Sequence, residues 1–271
     1  MEQIFQNFAV HVFLTVFKYG AIAGIAFFTF YVLLSSKFAN SKIQKRWAGK
    51  GALLHEVRHS LFTSVVFSFI AVLILYSPLE PYTMIYYKLT DYPLWWLPLS
   101  FVLSLVIHDT YFYWMHRLLH HKKLFRLAHL VHHKSTNPSP WASYSFHFLE
   151  AVAEGGILLV LAFTLPLHPL TGLAFVVVSL IINVYGHLGY EIMPRWIRHT
   201  FLFEIINTSV HHNLHHSRFK GNYGLYFRIW DRICKTEHPD YVKEYDRVQQ
   251  QRFPNEKDKA TLSIKKWSAS A

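Results

Sequence analysis

The chain has 271 residues, 52% of them apolar and 17% aromatic, and carries a net charge of +11. A basic soluble protein that binds nucleic acid would spread such charge over its surface. Here the charge is confined to short stretches between long apolar runs, which argues against that class and for a membrane protein. The single cysteine, Cys234, permits neither an intramolecular disulfide nor a thiolate metal cluster. Nineteen histidines remain, fifteen of them from His108 to His216, so any metal chemistry is imidazole chemistry.

In chain order, the first apolar run covers residues 9–34, interrupted by Lys18. Residues 1–7 before it supply no basic flank and no small-residue cleavage site follows, so no cleaved secretory signal is expected. A second run covers 61–79 and ends at Pro78 and Pro81. A third begins at Leu94 and continues through Ile107 into His108 and Asp109. Two more, 148–165 and 170–185, flank Pro166 and Pro169 and read as two spans or one re-entrant hairpin. Each is just long enough to cross a core of about 30 Å at about 1.5 Å per residue.

Loop charge sets the expected orientation. Residues 37–60 hold Lys37, Lys42, Lys45, Arg46, Lys50 and Arg58 against one acid, Glu56, whereas 80–93 have Lys88 as their only basic residue. By the positive-inside rule the first loop is cytoplasmic. Counting spans forward brings the later histidine segments to that same face. The expected fold class is therefore all-α: a multi-pass helical membrane protein of four to five spans, or three spans plus a hairpin, with a cytoplasmic histidine-rich metal site. Three regions are expected: transmembrane segments over 1–93, a catalytic region over 94–238, and a polar cytoplasmic tail over 239–271 whose end, 263–271, is disordered.

Three histidine clusters carry the functional reading. His116 and His120 stand at i and i+4; His129, His132 and His133 stand at i, i+3 and i+4, as do His212, His215 and His216. Such spacing lets rings on one helix converge on a common point. Eight imidazoles on one membrane face are a poor packing solution, because each has two ring nitrogens to satisfy. As ligands they are satisfied by metal on one nitrogen and an acceptor on the other, and two metals at four or more ligands each use this number.

The pattern HxxxH, HxxHH and HxxHH resembles the fatty acid hydroxylase superfamily, which includes sterol desaturases and C-4 methyl sterol oxidases. The likeness runs over residues 109–232. It takes in Tyr113 to Arg117, Pro140 to His147 and His187-Leu188-Gly189, and its ending, His215 through Tyr223 to Ile233, is similar to the sterol C-5 desaturase branch. The resemblance implies His116, His120, His129, His132, His133, His212, His215 and His216 as metal ligands and adds His187. Fatty acid 2-hydroxylases place another histidine four residues beyond the one matching His187; this chain has Glu191 there, a carboxylate able to ligate directly or through water, which weakens a fatty acid hydroxylase assignment and leaves the metal geometry open.

Asp109, Tyr113, His116 and His120 fall at helical offsets 0, 4, 7 and 11, so Asp109 is expected to accept the free N–H of a ligand histidine. The alternative pairs it with Arg117 or a lysine. Asp109 and Glu191 are thus the catalytic candidates. His147, His121 and His211 adjoin the clusters, with ligation left open. His108 lies about 80° around the helix from His116, which points to a core or substrate-lining role.

By this resemblance the cofactor is two iron ions, with zinc competing in purified protein because it binds imidazole sites more tightly. The partners implied are a lipid from the bilayer, O2 and a separate electron carrier, a b-type cytochrome or a ferredoxin with its reductase. The expected activity is hydroxylation or desaturation of a sterol-like or fatty acyl lipid, in a bacterial plasma membrane or a eukaryotic endoplasmic reticulum. The alternative is a histidine-rich membrane protein that binds or transports metal without oxygenase activity.

Overall fold

The structure, a computed structural model, describes residues 2–254. The segment 263–271, expected to be disordered, lies outside the described residues. Secondary structure among the described residues is helical, with isolated bridges only.

α1 (Glu2–Phe27) runs on into a π-helical turn, Phe28–Leu33. It has no interior proline and is apolar on most sides. Tyr19 and Ala23 are buried, while Phe5, Phe13 and Phe17 are more than half exposed, the pattern of a helix with one face on lipid. α2 (Lys50–Tyr76) packs along it. Its inward stripe is Ser60, Ser64 and Ser68, each fully buried. Their hydroxyls donate to Trp141 O, Ser60 O and Ser64 O at 2.7–2.8 Å, so small polar side chains allow close helix approach without orphaned donors.

α3 (Trp96–Leu119) follows, then α4 (Phe148–Thr164) and α5 (Pro169–Gly186), an antiparallel pair joined by residues 165–168. Pro169 starts α5 where its missing N–H costs nothing. Among the described residues, three segments are long and apolar enough to cross a membrane: Glu2–Leu33, Lys50–Tyr76 and Pro169–Gly186. α3 carries His108, Asp109, His116 and Arg117 along its 24 residues and α4 has only 17, so neither is among these three.

The remaining chain caps one end of this bundle. Lys122–Leu124, the π-helical turn Phe125–His129 and Leu130–His133 form a broken arm after α3. α6 (Ser209–Arg218) is capped by Thr208, whose hydroxyl accepts from His211 N at 3.3 Å, and stops at Phe219, which is left-handed at φ 62°. Gly221 follows at φ 77°; a Cβ there would also collide with Thr236 O. α7 (Tyr241–Arg252), within the segment expected to be a polar tail, buries Tyr241, Tyr245 and Val248 against Phe203, Val210 and Leu214. The basic loop between α1 and α2 packs on this same end. Ile43 N donates to Gly189 O at 3.0 Å, and Gln44 Nε2 donates to Asn213 Oδ1 at 2.9 Å.

Candidate metal centre

Nine histidines gather where α3, the broken arm, α5 and α6 meet. Ring nitrogens of His116, His120, His129, His133 and His215 lie within 4.8 Å of one another, and so do those of His132, His187, His212 and His216. All but His120 are buried. The nine residues that sequence singled out are thus together, but not as expected within each cluster. A triplet does not converge on one point: His129 and His133 face one group while His132 faces the other, and His215 parts from His212 and His216 in the same way. The reason is helical geometry, since neighbouring residues project about 100° apart. Each triplet therefore serves both groups and ties them into one unit.

On five of the rings the outward nitrogen faces a backbone carbonyl. Nδ1 of His116 meets Tyr223 O at 2.9 Å, His132 meets Ser145 O at 3.3 Å, and His187 meets Asn183 O at 2.8 Å. Nδ1 of His215 meets Gly221 O at 2.7 Å, and that of His216 meets Ser135 O at 3.0 Å. A carbonyl oxygen only accepts, so each of these Nδ1 atoms carries the proton and each Nε2 presents a lone pair. Those lone pairs face one another. Nε2 of His187 is 3.1 Å from Nε2 of His216 and 3.3 Å from that of His132. The buried Nε2 of His215 has no hydrogen-bond partner.

Such an arrangement is repulsive unless a cation sits among the nitrogens. With imidazole–metal bonds of about 2.0–2.1 Å, ligand nitrogens stand about 2.9 Å apart at an octahedral edge and about 3.3 Å apart at a tetrahedral one. The Nε2 pairs His116–His129, His120–His133 and His187–His212, at 3.0–3.1 Å, fall in that interval. Burial, and then the neighbouring imidazoles, push His129, His132, His212, His215 and His216 well below the usual histidine range, and His133 to about 3. They stay neutral and free to coordinate. The residues present fit two metal ions.

Glu150 is the residue that sequence reasoning passed over. It is fully buried on α4, and its Oε1 lies 2.7 Å from His129 Nδ1. The sequence offered one signal, a carboxylate in the first turn of an otherwise apolar helix beside His147. His147 itself caps α4, its Nδ1 accepting from Leu149 N at 3.3 Å, and takes no part in either group. His121 likewise caps a short helix, accepting from Lys123 N. His211 is buried against Tyr241 and stands 4.0 Å from Asp231 Oδ2, but its ring makes no hydrogen bond.

The two carboxylates expected at the centre stand elsewhere. Asp109 touches no histidine: Oδ1 accepts from Tyr226 N at 2.8 Å and from Phe227 N at 3.1 Å. The helical stripe was right about its face, but the 223–228 turn folds over that face and supplies two backbone donors. Glu191 belongs to neither histidine group. It accepts from Tyr185 Oη and Met193 N at 2.9 Å and from Val210 N at 3.2 Å, anchoring the start of α6 to the end of α5. Asp231 acts on the site indirectly. It accepts from Tyr223 N at 2.9 Å and Gly224 N at 2.7 Å, which fixes the turn whose carbonyls hold His116 and His215.

Behind the histidines lies a cavity of about 640 Å³, walled mainly by apolar side chains of α1, α2, α3, α4 and α5. Phe112 and Phe146 line it and also pack on the metal centre, their rings 5.0 Å from His116 and 5.1 Å from His132. This volume is within the usual range for a small-molecule site.

Fold and site together define an all-helical membrane protein with a buried nine-histidine centre over an apolar cavity. The family model for fatty acid hydroxylase matches residues 101–236, half the chain, and the chain belongs to that family. Among its relatives, the Delta(7)-sterol 5(6)-desaturase ERG3B of Gibberella zeae is 27% identical over 214 residues, covering 77% of this chain and 65% of the relative. Lathosterol oxidase of Mus musculus is 34% identical over 164 residues, covering 59% and 53%. A cholesterol 25-hydroxylase-like protein of Danio rerio is 35% identical over 131 residues, covering 47% and 51%. The chain thus spans between half and two-thirds of the length of these curated relatives. No solved structure gives a significant match.

Proposed function

We propose that this chain is a membrane-bound di-iron oxygenase that hydroxylates or desaturates a lipid of sterol type, with His116, His120, His129, His133 and His215 holding one metal and His132, His187, His212 and His216 the other. The observation that carries this reading is the set of Nε2 lone pairs turned toward one another, five of them on rings whose Nδ1 faces a backbone carbonyl. Family membership favours iron, and the names of the relatives favour a sterol.

Bound iron would supply reduction of O2 and removal of hydrogen from an unactivated C–H bond. Hydroxylation consumes O2, two electrons and two protons per alcohol and water formed; desaturation consumes the same and yields an alkene and two waters. No nucleotide fingerprint is present, so the electrons come from a separate carrier protein. The chain's own residues hold and exclude. The carbonyls of Tyr223, Ser145, Asn183, Gly221 and Ser135 keep their five rings in one tautomer, and Glu150 accepts a hydrogen bond from His129 Nδ1–H. Phe112 and Phe146 keep water from the cavity side and place one carbon at the centre.

The basic loop 37–60 packs on the histidine end of the bundle, so the positive-inside rule puts the centre on the cytoplasmic face. The test is metal analysis of protein purified without chelator and reloaded with ferrous iron. Two irons per chain, falling to about one with loss of lipid conversion in His132→Ala, is the expected result. A chain that holds only zinc and converts no lipid with a full electron supply contradicts it.

A further inference from the structure

Two polar side chains in the cavity wall are not accounted for by its apolar lining. His108 is 7% exposed; its Nδ1 meets the Tyr226 hydroxyl at 2.8 Å, while its Nε2 is buried with no partner. Glu154 lines the same cavity and has no hydrogen-bond or ion-pair partner among the described residues. Phe112 connects this wall to the metal centre, its ring 6.1 Å from His108 and 5.0 Å from His116. At about 1.5 Å per residue, Glu154 is about 6 Å along α4 from Glu150, and His108 about 12 Å along α3 from His116.

We propose that His108 Nε2 and the Glu154 carboxyl receive the hydroxyl of a neutral, hydroxylated lipid, which enters polar end first with its hydrocarbon toward the bilayer. This rests on the lipid oxygenase reading and adds the substrate's orientation to it. A hydroxyl both donates and accepts, so it suits His108 in either tautomer together with a carboxyl. An anionic head group does not suit this end, where Glu154 stands. The cation that lines the cavity, Lys18, is on α1 near His11 instead. With the hydroxyl held here, the oxidised carbon lies in the part of the skeleton nearer the hydroxyl rather than at the far end of the hydrocarbon.

The test measures displacement of a radiolabelled Δ7-sterol from the full chain in lipid nanodiscs by unlabelled Δ7-sterol and by its O-methyl ether. Wild type is expected to bind the free sterol about tenfold more tightly than the ether, the worth of one hydrogen bond. His108→Phe is expected to bind both equally, with ether affinity within about twofold of wild type, and Lys18→Met to keep the wild-type ratio. Equal binding of the two sterols by wild type, binding of neither, or discrimination that survives both His108→Phe and Glu154→Gln overturns the inference. So does discrimination lost only in Lys18→Met, which moves the polar group to α1, or an ether affinity that falls as far as the sterol's in His108→Phe. Failure of the oxygenase reading looks different: the sterol binds with its hydroxyl preference intact, yet iron-loaded protein converts no lipid.

Discussion

Glu150 Oε1 stands 2.7 Å from His129 Nδ1, and both groups are buried. Among the hydrogen bonds behind these rings this one ends on a carboxyl group rather than a backbone carbonyl, so an ionisable side chain stands behind the ligand set of one metal. Removing such a partner costs about 10–100-fold in metal affinity in comparable sites. Glu150→Ala should show that loss for one of two ions by competition with a chelating dye, and Glu150→Gln a smaller one. Unchanged affinity for both ions in folded Glu150→Ala would remove Glu150 from the centre.

His215 and His216 are adjacent in sequence and serve different groups. His215→Ala and His216→Ala should therefore each reduce binding to about one firmly held metal per chain, and the double variant should hold none. Combining His215→Ala with His133→Ala, two members of the same group, should leave the other ion in place. Metal counting by inductively coupled plasma mass spectrometry separates these outcomes. A double His215/His216 variant that keeps one ion contradicts the division into two groups.

Asp109 holds the backbone of Tyr226 and Phe227, so its substitution should act on stability rather than on metal. Asp109→Ala leaves two buried N–H groups without their acceptor, a cost of about 1–3 kcal/mol each. The expected result is a lower unfolding midpoint with unchanged metal per folded chain. Loss of metal without loss of stability would return Asp109 to the centre.

α4 packs on α2 at Gly155, where a Cβ would run into Ile70 Cδ1 and press on the Phe67 ring. Gly155→Val should destabilise by about 1–3 kcal/mol through overpacking. It should also displace the α4 turn that carries Glu154 toward the cavity. A thermal midpoint equal to wild type would mean that the helices part at no cost.

Much of this was legible from residue spacing. The i, i+3, i+4 triplets announced a gathered set of histidines because no packing face needs that many imidazoles. Their division between two groups was also implicit in the 100° step between neighbours, yet a spacing rule alone merges them. Glu150 was hard to see because its partner is 21 residues away, across the turn that brings α4 under the arm. Asp109 shows the opposite limit: a helical stripe gives the face of a side chain, not what the rest of the chain folds onto that face. Tyr241, Tyr245 and Val248 stand at i, i+4 and i+7, a buried stripe within a polar segment, and composition alone hid it.

The most direct test of the central claim is mass spectrometry of lipids from cells that express wild type or His215→Ala beside a suitable electron donor. The account predicts a lipid found only with wild type, either gaining one oxygen or losing two hydrogens, on a hydroxylated sterol-type skeleton. Identical lipid profiles from the two, with wild type inserted in the membrane and holding both metals, would contradict it.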